Sequence, residues 1–236
     1  MRTGIFVQVR LGSTRLPGKA LLALPGGNVI QHVMRALKPV GADVYALLTD
    51  AASLLALKEV AEPEGYAVLE GPEEDVLARY GAAIRRFSVN EVVRATGDNP
   101  LTSARLARDI IAAHRAQGSD LSHYLGVPWG SGVEVVTAEA LLKAERDARA
   151  ADEREHITTY LYRHPERFRV LEPSAPAYAD AKDCRVTVDT PSDLEEVRRI
   201  FAALYDGQPI EIDRVIDWLR KNPAPAGAGR PGPSHG

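Results

Sequence analysis

The stretch IFVQVRLGSTRLPGK, residues 5–19, decides the fold that we expect for this chain. Residues 5–9 form an apolar run of strand length, and residues 10–19 form a loop with three permanent cations, two glycines and a proline. A buried strand that opens into such a loop is how an open α/β sheet places a ligand at the carboxyl ends of its strands. Because like charges on one bend repel each other, the loop predicts a bound anion, and a nucleoside triphosphate is the first candidate.

Two common phosphate-binding motifs do not fit this loop. A P-loop has four residues between its first Gly and its Gly-Lys pair, followed by Ser or Thr. Here five residues separate Gly12 from Gly18, and Ala20 follows Lys19. No Gly-x-Gly-x-x-Gly pattern follows the strand, which excludes a dinucleotide-binding fingerprint. The loop is therefore an anion site of another kind, with an ordinary basic turn as the alternative.

Composition limits the class of protein. The 236 residues and 25.6 kDa suit one α/β domain. The net charge of -3 gives no general attraction for nucleic acid, and the single cysteine, Cys184, excludes an internal disulfide. We see neither a signal peptide nor an apolar run of transmembrane length, so we expect a cytoplasmic protein that does not associate with membranes.

Strand-like and helix-like segments alternate along residues 1–222, which predicts a mostly parallel sheet with helices on both faces. The predicted strands are 5–9, 43–49, 67–70, 91–95, 120–124, 133–137, 168–171 and 184–188, and the predicted helices are 28–38, 53–62, 73–87, 103–117, 138–150, 152–163, 192–204 and 212–222. We expect the less regular segment from about 120 to 165 to leave the main sheet, where its helices could pack on a second subunit. Residues 223–236 are rich in Pro, Ala and Gly and are predicted to be a disordered tail.

Two acidic residues, Asp98 and Asp189, each follow a predicted strand. Together with the cationic loop they suit Mg²⁺, which takes few carboxylates and completes its shell with phosphate oxygens and water. Asp98 has an alternative role in stabilising a turn. The alternative to a metal site at Asp189 is the start of a helix. Thr190 or Ser192 would cap this helix, and Glu195 would complete a capping box with Ser192. Such a cap gives Ser192 a clear role but gives Asp189 none.

Six motifs, in order along the chain, resemble those of the cytidylyltransferases that activate acidic sugars. They are RLGSTRLPGK (10–19), EEDVLARY (73–80), TGDNP (96–100), GVEV (132–135), REHIT (154–158) and VDTP (188–191). That family includes CMP-Kdo synthetase and acylneuraminate cytidylyltransferase, and the motifs are most similar to its spore-coat polysaccharide synthesis F branch. The resemblance implies a Rossmann-like nucleotidyltransferase sheet, a small insertion for the acceptor and for dimerisation, and a homodimer.

The resemblance also implies roles for individual residues. The implied nucleotide-binding residues are Arg10, Leu11, Gly12, Ser13, Arg15, Lys19, Gly71, Asp75 and Arg79. Of these, Arg10, Arg15 and Lys19 would hold the triphosphate and, with Asp98, would carry catalysis. Asp98 and Asp189 would bind Mg²⁺. The implied acceptor-binding residues are Glu134, Arg154 and His156, and His156 has the alternative role of a partly buried helix residue bonded to a neighbour.

These features predict transfer of CMP from CTP to a small anionic acceptor, with Mg²⁺ as cofactor and pyrophosphate as the second product. Residues 120–132 depart from the branch pattern, so the acceptor stays open between an acidic sugar and a phosphonate. The alternatives are a nucleotidyltransferase for a sugar 1-phosphate, a glycosyltransferase that uses a nucleotide sugar, and a catalytically silent nucleotide-binding protein. The chain has no convincing Asp-x-Asp at a strand end, which disfavours the glycosyltransferase.

Overall fold

A seven-stranded sheet lies at the centre of the protein, in a computed structural model that describes residues 1–223. The strands are β1 (Thr3–Gln8), β2 (Ala23–Leu24), β3 (Gly27–Asn28), β4 (Val44–Thr49), β5 (Ala67–Glu70), β6 (Glu91–Thr96), β7 (Leu121–Ser122), β8 (Glu134–Thr137) and β9 (Val170–Leu171). The order in the main sheet is β5-β4-β1-β6-β8-β7-β9, and β2 and β3 pair separately. Among the described strands of the main sheet, β8 alone runs against the others. The predicted, mostly parallel sheet is confirmed.

Helices cover both faces of this sheet. They are α1 (Val29–Leu37), α2 (Leu54–Ala61), α3 (Val76–Phe87), α4 (Ala104–Gln117), α5 (Ala138–Asp147), α6 (Ala151–Glu155), α7 (Thr159–Arg163), α8 (Pro191–Leu204) and α9 (Ile212–Lys221). Phe6 packs with α3, α5 and α7, whereas its neighbours Ile5 and Val7 pack with α1, α2 and α4. Alternate residues of β1 thus face opposite apolar layers, as expected for a strand buried on both faces. A third apolar cluster joins α8 and α9.

The order of the strands places a crevice between β1 and β6. From β1 the chain adds β4 and β5 on one side, and then β6 on the other. In open α/β sheets a ligand binds at such a switch point, outside the carboxyl ends of the strands. The loop of residues 10–19 follows β1 at this point, and the TGDNP motif begins at the end of β6.

The backbones that leave β1 and β6 touch at Gly97. Its N–H donates to the carbonyl oxygen of Gln8 at 2.9 Å, and a Cβ added at Gly97 would lie 2.6 Å from Cβ of Val9, a buried residue. We therefore expect Gly97→Ala to lower the free energy of unfolding by about 1–3 kcal/mol, the usual cost of overpacking. Urea unfolding measures the change. Gly132→Ala is the control, because the nearest atom to its added Cβ is 3.4 Å away, and equal losses in both variants would contradict this explanation.

The middle of the chain differs from the prediction. We expected the segment from about 120 to 165 to leave the sheet, but β7 and β8 are part of it, and β8 pairs with β6 from Arg94↔Glu134 to Glu91↔Thr137. Its consecutive valines, at 135 and 136, are both buried, one in each apolar layer, so the segment completes the core of its own subunit. The predicted helix at 152–163 is broken into α6 and α7 at residues 156–158.

Three further predictions need correction in detail. The predicted strand at 184–188 makes only an isolated bridge, between Arg185 and Trp129, within the described residues. Helix α3 begins at Val76, three residues later than predicted, and Asp75 is its N-cap. The capping box of α8 joins Thr190 to Asp193, rather than Ser192 to Glu195. Asp193 is preferred because its carboxylate also accepts hydrogen bonds from the N–H groups of Asp189 and Thr190.

Two further predictions concern the C-terminal tail and association with membranes. The predicted disordered tail, residues 223–236, lies outside the described residues except for Pro223. Within residues 1–223, every helix is too short or too polar to cross a membrane.

His32 of α1 gives the fold a specific response to acid. The ring is buried, with its centroid 4.4 Å from that of Phe201, and its Nε2 lies 3.0 Å from the carbonyl oxygen of Pro25. Burial lowers the pKa of His32 from 6.5 to about 4. The unfolded chain therefore binds a proton between these values that the folded protein does not bind, and stability falls as the pH drops through this range.

We expect the loss of stability at low pH to be absent from His32→Gln, because glutamine does not titrate. Its amide can still donate a hydrogen bond to the carbonyl oxygen of Pro25. Between pH 7 and pH 4.5 the wild type should lose about 2.4 kcal/mol more unfolding free energy than the variant, since one pKa unit corresponds to about 1.4 kcal/mol. Urea titrations of both proteins at both pH values measure this difference. The same pH dependence in both proteins would rule out His32 as the source.

Candidate active site

Lys19, Asp98 and Asp189 meet in the crevice between β1 and β6. The Nζ atom of Lys19 donates to Oδ2 of Asp98 at 2.6 Å and to Oδ1 of Asp189 at 2.7 Å. All three side chains are largely buried. One ammonium thus holds together two carboxylates that would otherwise repel each other, which marks the point between them as a favourable place for a cation.

Backbone contacts bring Asp189 to this point from a distant part of the chain. The N–H of Val188 donates to the carbonyl oxygen of Asp98 at 2.8 Å, and the N–H of Val186 donates to that of Trp129, also at 2.8 Å. Asp189 then lies just before α8, where Asp193 accepts a hydrogen bond from its N–H at 3.0 Å. These contacts fix the two backbone segments that carry Asp98 and Asp189 relative to each other.

Asp189 is surrounded by three cations. Besides Lys19, Arg15 Nη2 lies 3.2 Å from Oδ1, and Arg185 Nη2 lies 2.5 Å from Oδ2. Burial raises the pKa of Asp189, but the hydrogen bond from Lys19 and the charges of Lys19, Arg15 and Arg185 outweigh burial and hold the pKa below its usual value. Arg185 was not among the predicted site residues. Its signal is a cation four residues before Asp189, inside a run otherwise read as an apolar strand.

The cationic loop closes on itself and presents two arginines. The N–H of Gly18 donates to the carbonyl oxygen of Leu11 at 3.0 Å, and the N–H of Leu11 donates to Oγ of Ser53 at 2.9 Å, which ties the loop to the start of α2. Gly18 has a φ of +65°, a conformation that favours glycine. The side chains of Arg10 and Arg15 are 46% and 61% exposed, so both are accessible to a ligand.

A cleft of about 760 Å³ lies over these residues, a volume suited to a nucleotide-sized ligand. The predicted site residues that line it are Arg10, Ser13, Arg15, Lys19, Arg79, Asp98, His156 and Asp189. The structure also brings Gln8, Thr96, Glu73 and Glu155 to the cleft, none of which was a predicted site residue. Leu11, Gly12, Gly71, Asp75, Glu134 and Arg154 are not among its lining residues.

Arg79 lines one wall of the cleft, and Gly71 packs against it from outside the lining. Arg79 is buried, and its guanidinium donates to the carbonyl oxygen of Pro72 at 2.7 Å and to that of Glu73. Burial lowers the pKa of Arg79, which still remains a cation. A Cβ added at Gly71 would lie 2.8 Å from Cγ of Arg79, so the loop and the arginine are packed closely together. Arg79 thereby fixes the loop that precedes α3.

Asp75 and Arg154 bind each other. Asp75 accepts a hydrogen bond from the N–H of Ala78 at 2.9 Å as the N-cap of α3, and its other oxygen accepts one from Nε of Arg154, also at 2.9 Å. Arg154 further donates to the carbonyl oxygen of Glu145 at 2.6 Å. In this structure both residues therefore hold α6 against α3 beside the cleft.

Glu134 lies in a polar cluster beside the cleft. Its carboxylate pairs with Arg94 at 3.1 Å and accepts hydrogen bonds from Oγ1 of Thr158 and from the hydroxyl of Tyr162, each at 3.1 Å. Nε of Arg94 donates to Oε1 of Gln8 at 3.2 Å. Gln8 lines the cleft, so Glu134 reaches the cleft through two intervening side chains.

The carboxylates at the cleft fit a magnesium ion that takes some of its ligands from the protein and the others from a substrate. Within residues 1–223, no group of three or more His, Cys, Asp and Glu side chains could hold a metal ion. Asp98 and Asp189 supply two carboxylates, which is the number that Mg²⁺ commonly takes when phosphate oxygens and water complete its shell. The ammonium of Lys19 already stands between them as a cation.

A mostly parallel α/β sheet with a cationic loop and two carboxylates at its switch point is suited to binding phosphates together with a divalent cation, as nucleotidyltransferases do. Residues 5–214 match the model of one such family, described as cytidylyltransferase. The chain belongs to the cytidylyltransferase family and is a CTP-dependent nucleotidyltransferase.

Individual relatives agree with this assignment. The spore coat polysaccharide biosynthesis protein SpsF of Bacillus subtilis is 33% identical over 225 residues, which cover 92% of this chain and 93% of that protein. A cytidylyltransferase structure from Leptospira borgpetersenii superposes with a TM-score of 0.84 at 27% identity, over 94% of this chain and 95% of the other. The structure of CMP:2-keto-3-deoxy-manno-octonic acid synthetase complexed with CTP shares the fold, with a TM-score of 0.66 at 19% identity over 86% and 99% of the two chains. The resemblance seen in the motifs is confirmed.

Proposed function

We propose that this protein transfers CMP from CTP to a small anionic acceptor and releases pyrophosphate, with Mg²⁺ held by Asp98 and Asp189. The observation that carries the proposal is the ammonium of Lys19, bonded to both carboxylates beneath an exposed cationic loop. In the reaction an acceptor oxygen forms a bond to the α-phosphorus, the bond from that phosphorus to the bridging oxygen breaks, and pyrophosphate leaves with the negative charge. An ionised phosphonate oxygen attacks as it is, whereas a sugar hydroxyl gives its proton to water.

The cations of the loop bind the phosphates. Arg10 and Arg15 are exposed and contact the β- and γ-phosphates, where charge-assisted hydrogen bonds are strong. Lys19 lies deeper and stabilises the charge that develops on the leaving pyrophosphate. The backbone contacts of the loop, from Gly18 to Leu11 and from Leu11 to Ser53, keep these cations together at the cleft before the substrate binds.

Asp98 and Asp189 hold the metal ion. When bound, Mg²⁺ supplies charge neutralisation on the phosphate oxygens. Arg185 holds Oδ2 of Asp189, so the oxygen left to face the cleft is Oδ1. Asp98 follows β6 directly, and its backbone is tied to that of Val188, so the two carboxylates keep their separation during the reaction.

The proposed acceptor is an acidic sugar or a phosphonate. Its anionic character is supported by the keto acid in the name of the structural neighbour solved with CTP. His156 lines the cleft beside Glu155 of α6 and contacts the acceptor. Glu134 and Arg154 act on the acceptor indirectly. Glu134 binds Arg94, which donates to Gln8 at the cleft, and Arg154 binds the N-cap of α3, Asp75, beside the cleft.

We also propose that the protein is a homodimer. Leu125, Trp129 and Tyr162 are large apolar side chains that are exposed, and all three belong to the segment from about 120 to 165. Pairing of this segment with its copy would remove them from water. A monomeric mass by light scattering at micromolar concentration would exclude the dimer.

A panel of acceptors tests the proposed reaction. The protein is incubated with CTP, Mg²⁺ and, separately, 3-deoxy-manno-octulosonate, N-acetylneuraminate, 2-aminoethylphosphonate and glucose 1-phosphate, and pyrophosphate release and the mass of the product are measured. We expect pyrophosphate and a CMP conjugate with one of the first three compounds. Reaction with glucose 1-phosphate alone would contradict the proposed acceptor class, and release of CMP from a supplied CMP-sugar would favour a glycosyltransferase.

A further inference from the structure

The ammonium of Lys19 is more important for neutralising the carboxylate of Asp98 than that of Asp189. Within the described residues, Lys19 is the single side chain that donates to the carboxylate of Asp98. Asp189 keeps Arg15 and Arg185 as partners if Lys19 moves away. Removal of the ammonium would therefore leave Asp98 unpaired, largely buried and facing a second carboxylate, which is an unfavourable arrangement unless another cation takes its place.

The contacts of Asp189 and Asp98 show at which carboxylate oxygens another cation can replace Lys19. Oδ2 is held by Arg185, whose Nε also lies 3.4 Å from Asp193. Oδ1 of Asp189 and Oδ2 of Asp98 both lie within 2.7 Å of the Lys19 nitrogen. A divalent cation that uses this oxygen pair must therefore compete with the ammonium for the same position.

We propose that Lys19 is the resident counter-ion of the Asp98–Asp189 pair, and that a divalent cation enters by displacing it. The displaced ammonium then pairs with the phosphates of the nucleotide. No covalent bond changes in this step, because one cation replaces another at the carboxylates. The proposal deepens the proposed function, on which the identity of the metal and of the phosphates rests.

This exchange couples the metal to the nucleotide. Without a phosphate, displacement of Lys19 leaves its charge without a partner, so a divalent cation binds weakly. A bound triphosphate supplies that partner, and each of the two ligands then strengthens the binding of the other by the same factor. The site is thereby kept from filling with metal before the nucleotide arrives.

Binding of Mn²⁺ to the full-length protein, in the absence of any nucleotide or acceptor, tests the proposal. Free Mn²⁺ is measured by electron paramagnetic resonance, and unfolding temperatures are recorded with and without the ion. We expect Lys19→Met to have a lower unfolding temperature than the wild type without metal, to bind Mn²⁺ about tenfold more tightly or better, and to regain stability when Mn²⁺ is added. Binding no tighter than that of the wild type would overturn the proposal.

Two further variants separate counter-ion loss from general damage. Lys19→Met combined with Asp98→Asn removes the repulsion together with the ammonium, so it should be more stable than Lys19→Met without metal and should not be stabilised by Mn²⁺. Lys143→Met is the matched control, because Lys143 is an exposed lysine paired with Glu139, and it should change neither quantity. Failure of Lys19→Met to fold both with and without Mn²⁺ would also overturn the proposal, since the ion should replace the ammonium.

These measurements contain neither CTP nor an acceptor. Their failure would leave the transfer of CMP untouched, and the pyrophosphate assay decides that reaction separately.

Discussion

Asp98→Asn is expected to lower kcat/KM for CMP transfer by about 10²–10³-fold, the usual cost of removing a group that stabilises charge in the transition state. The substitution keeps the size of the side chain but removes the charge that pairs with Lys19 and that we propose as a ligand of the metal ion. Because the backbone of Asp98 still accepts from Val188, we expect the fold to persist. Pyrophosphate release at a range of CTP concentrations measures the activity, and thermal unfolding confirms the folded state.

A remote aspartate provides the control for this substitution. Asp217 lies on α9, is exposed, and is 4.0 Å from Arg220. Asp217→Asn should leave kcat/KM unchanged. If Asp98→Asn keeps activity within tenfold of the wild type, Asp98 does not have the role proposed for it.

The second large effect is expected on stability, at the Arg94–Glu134 pair. The side chains are 21% and 15% exposed, and their charged groups are 3.1 Å apart. Arg94→Met leaves the carboxylate of Glu134 buried without a cation, which costs about 3–5 kcal/mol in comparable pairs. In a protein of this size the unfolding temperature should fall by about 6–20 °C. Urea unfolding and calorimetry measure the two quantities.

Two comparisons show whether this loss comes from an unpaired charge. Arg94→Met combined with Glu134→Gln should recover a large part of the stability, because no buried charge is left without its partner. Arg220→Met removes one member of an exposed pair, with 63% and 67% exposure, and should cost less than about 1 kcal/mol. If the double variant is as unstable as Arg94→Met alone, lost packing rather than charge is the cause.

Local patterns were sufficient to predict most of the fold. The apolar runs that became β1, β4 and β6 are buried on both faces, and such runs need no partner to be recognised. The strand β8 was recognised, but its place in the sheet was not, because pairing depends on contacts between residues far apart in sequence. The N-terminal cap of α8 was also predicted with the wrong pair of residues. Ser192 with Glu195 and Thr190 with Asp193 have the same spacing, and the backbone N–H of Asp189 favours the second pair.

The candidate site was only partly predictable for a related reason. Lys19 and Asp98 lie in loops that follow β1 and β6, and the carboxyl ends of these neighbouring parallel strands meet at one edge. Asp189 follows an apolar run that is not a strand of the sheet and reaches the site through a backbone contact between Val188 and Asp98. Arg185 and Arg94 lie inside such runs, where the pattern predicts buried apolar side chains. The partners of Arg94, which are Glu134 and Gln8, come from other segments, and a burial pattern read along one segment does not contain them. The partner of Arg185, Asp189, is only four residues away, but a burial pattern does not contain charge pairs.

Binding of CTP at the cleft is the most direct test of this account. Unfolding temperatures are measured with Mg²⁺ and each of CTP, UTP, ATP and GTP, for the wild type and for Asp98→Asn. At about 100 times its dissociation constant a ligand adds about 2.7 kcal/mol, so CTP should raise the unfolding temperature of the wild type by about 5–10 °C, and by less in the variant. No shift with any nucleotide, or a larger shift with a nucleotide other than CTP, would contradict the account.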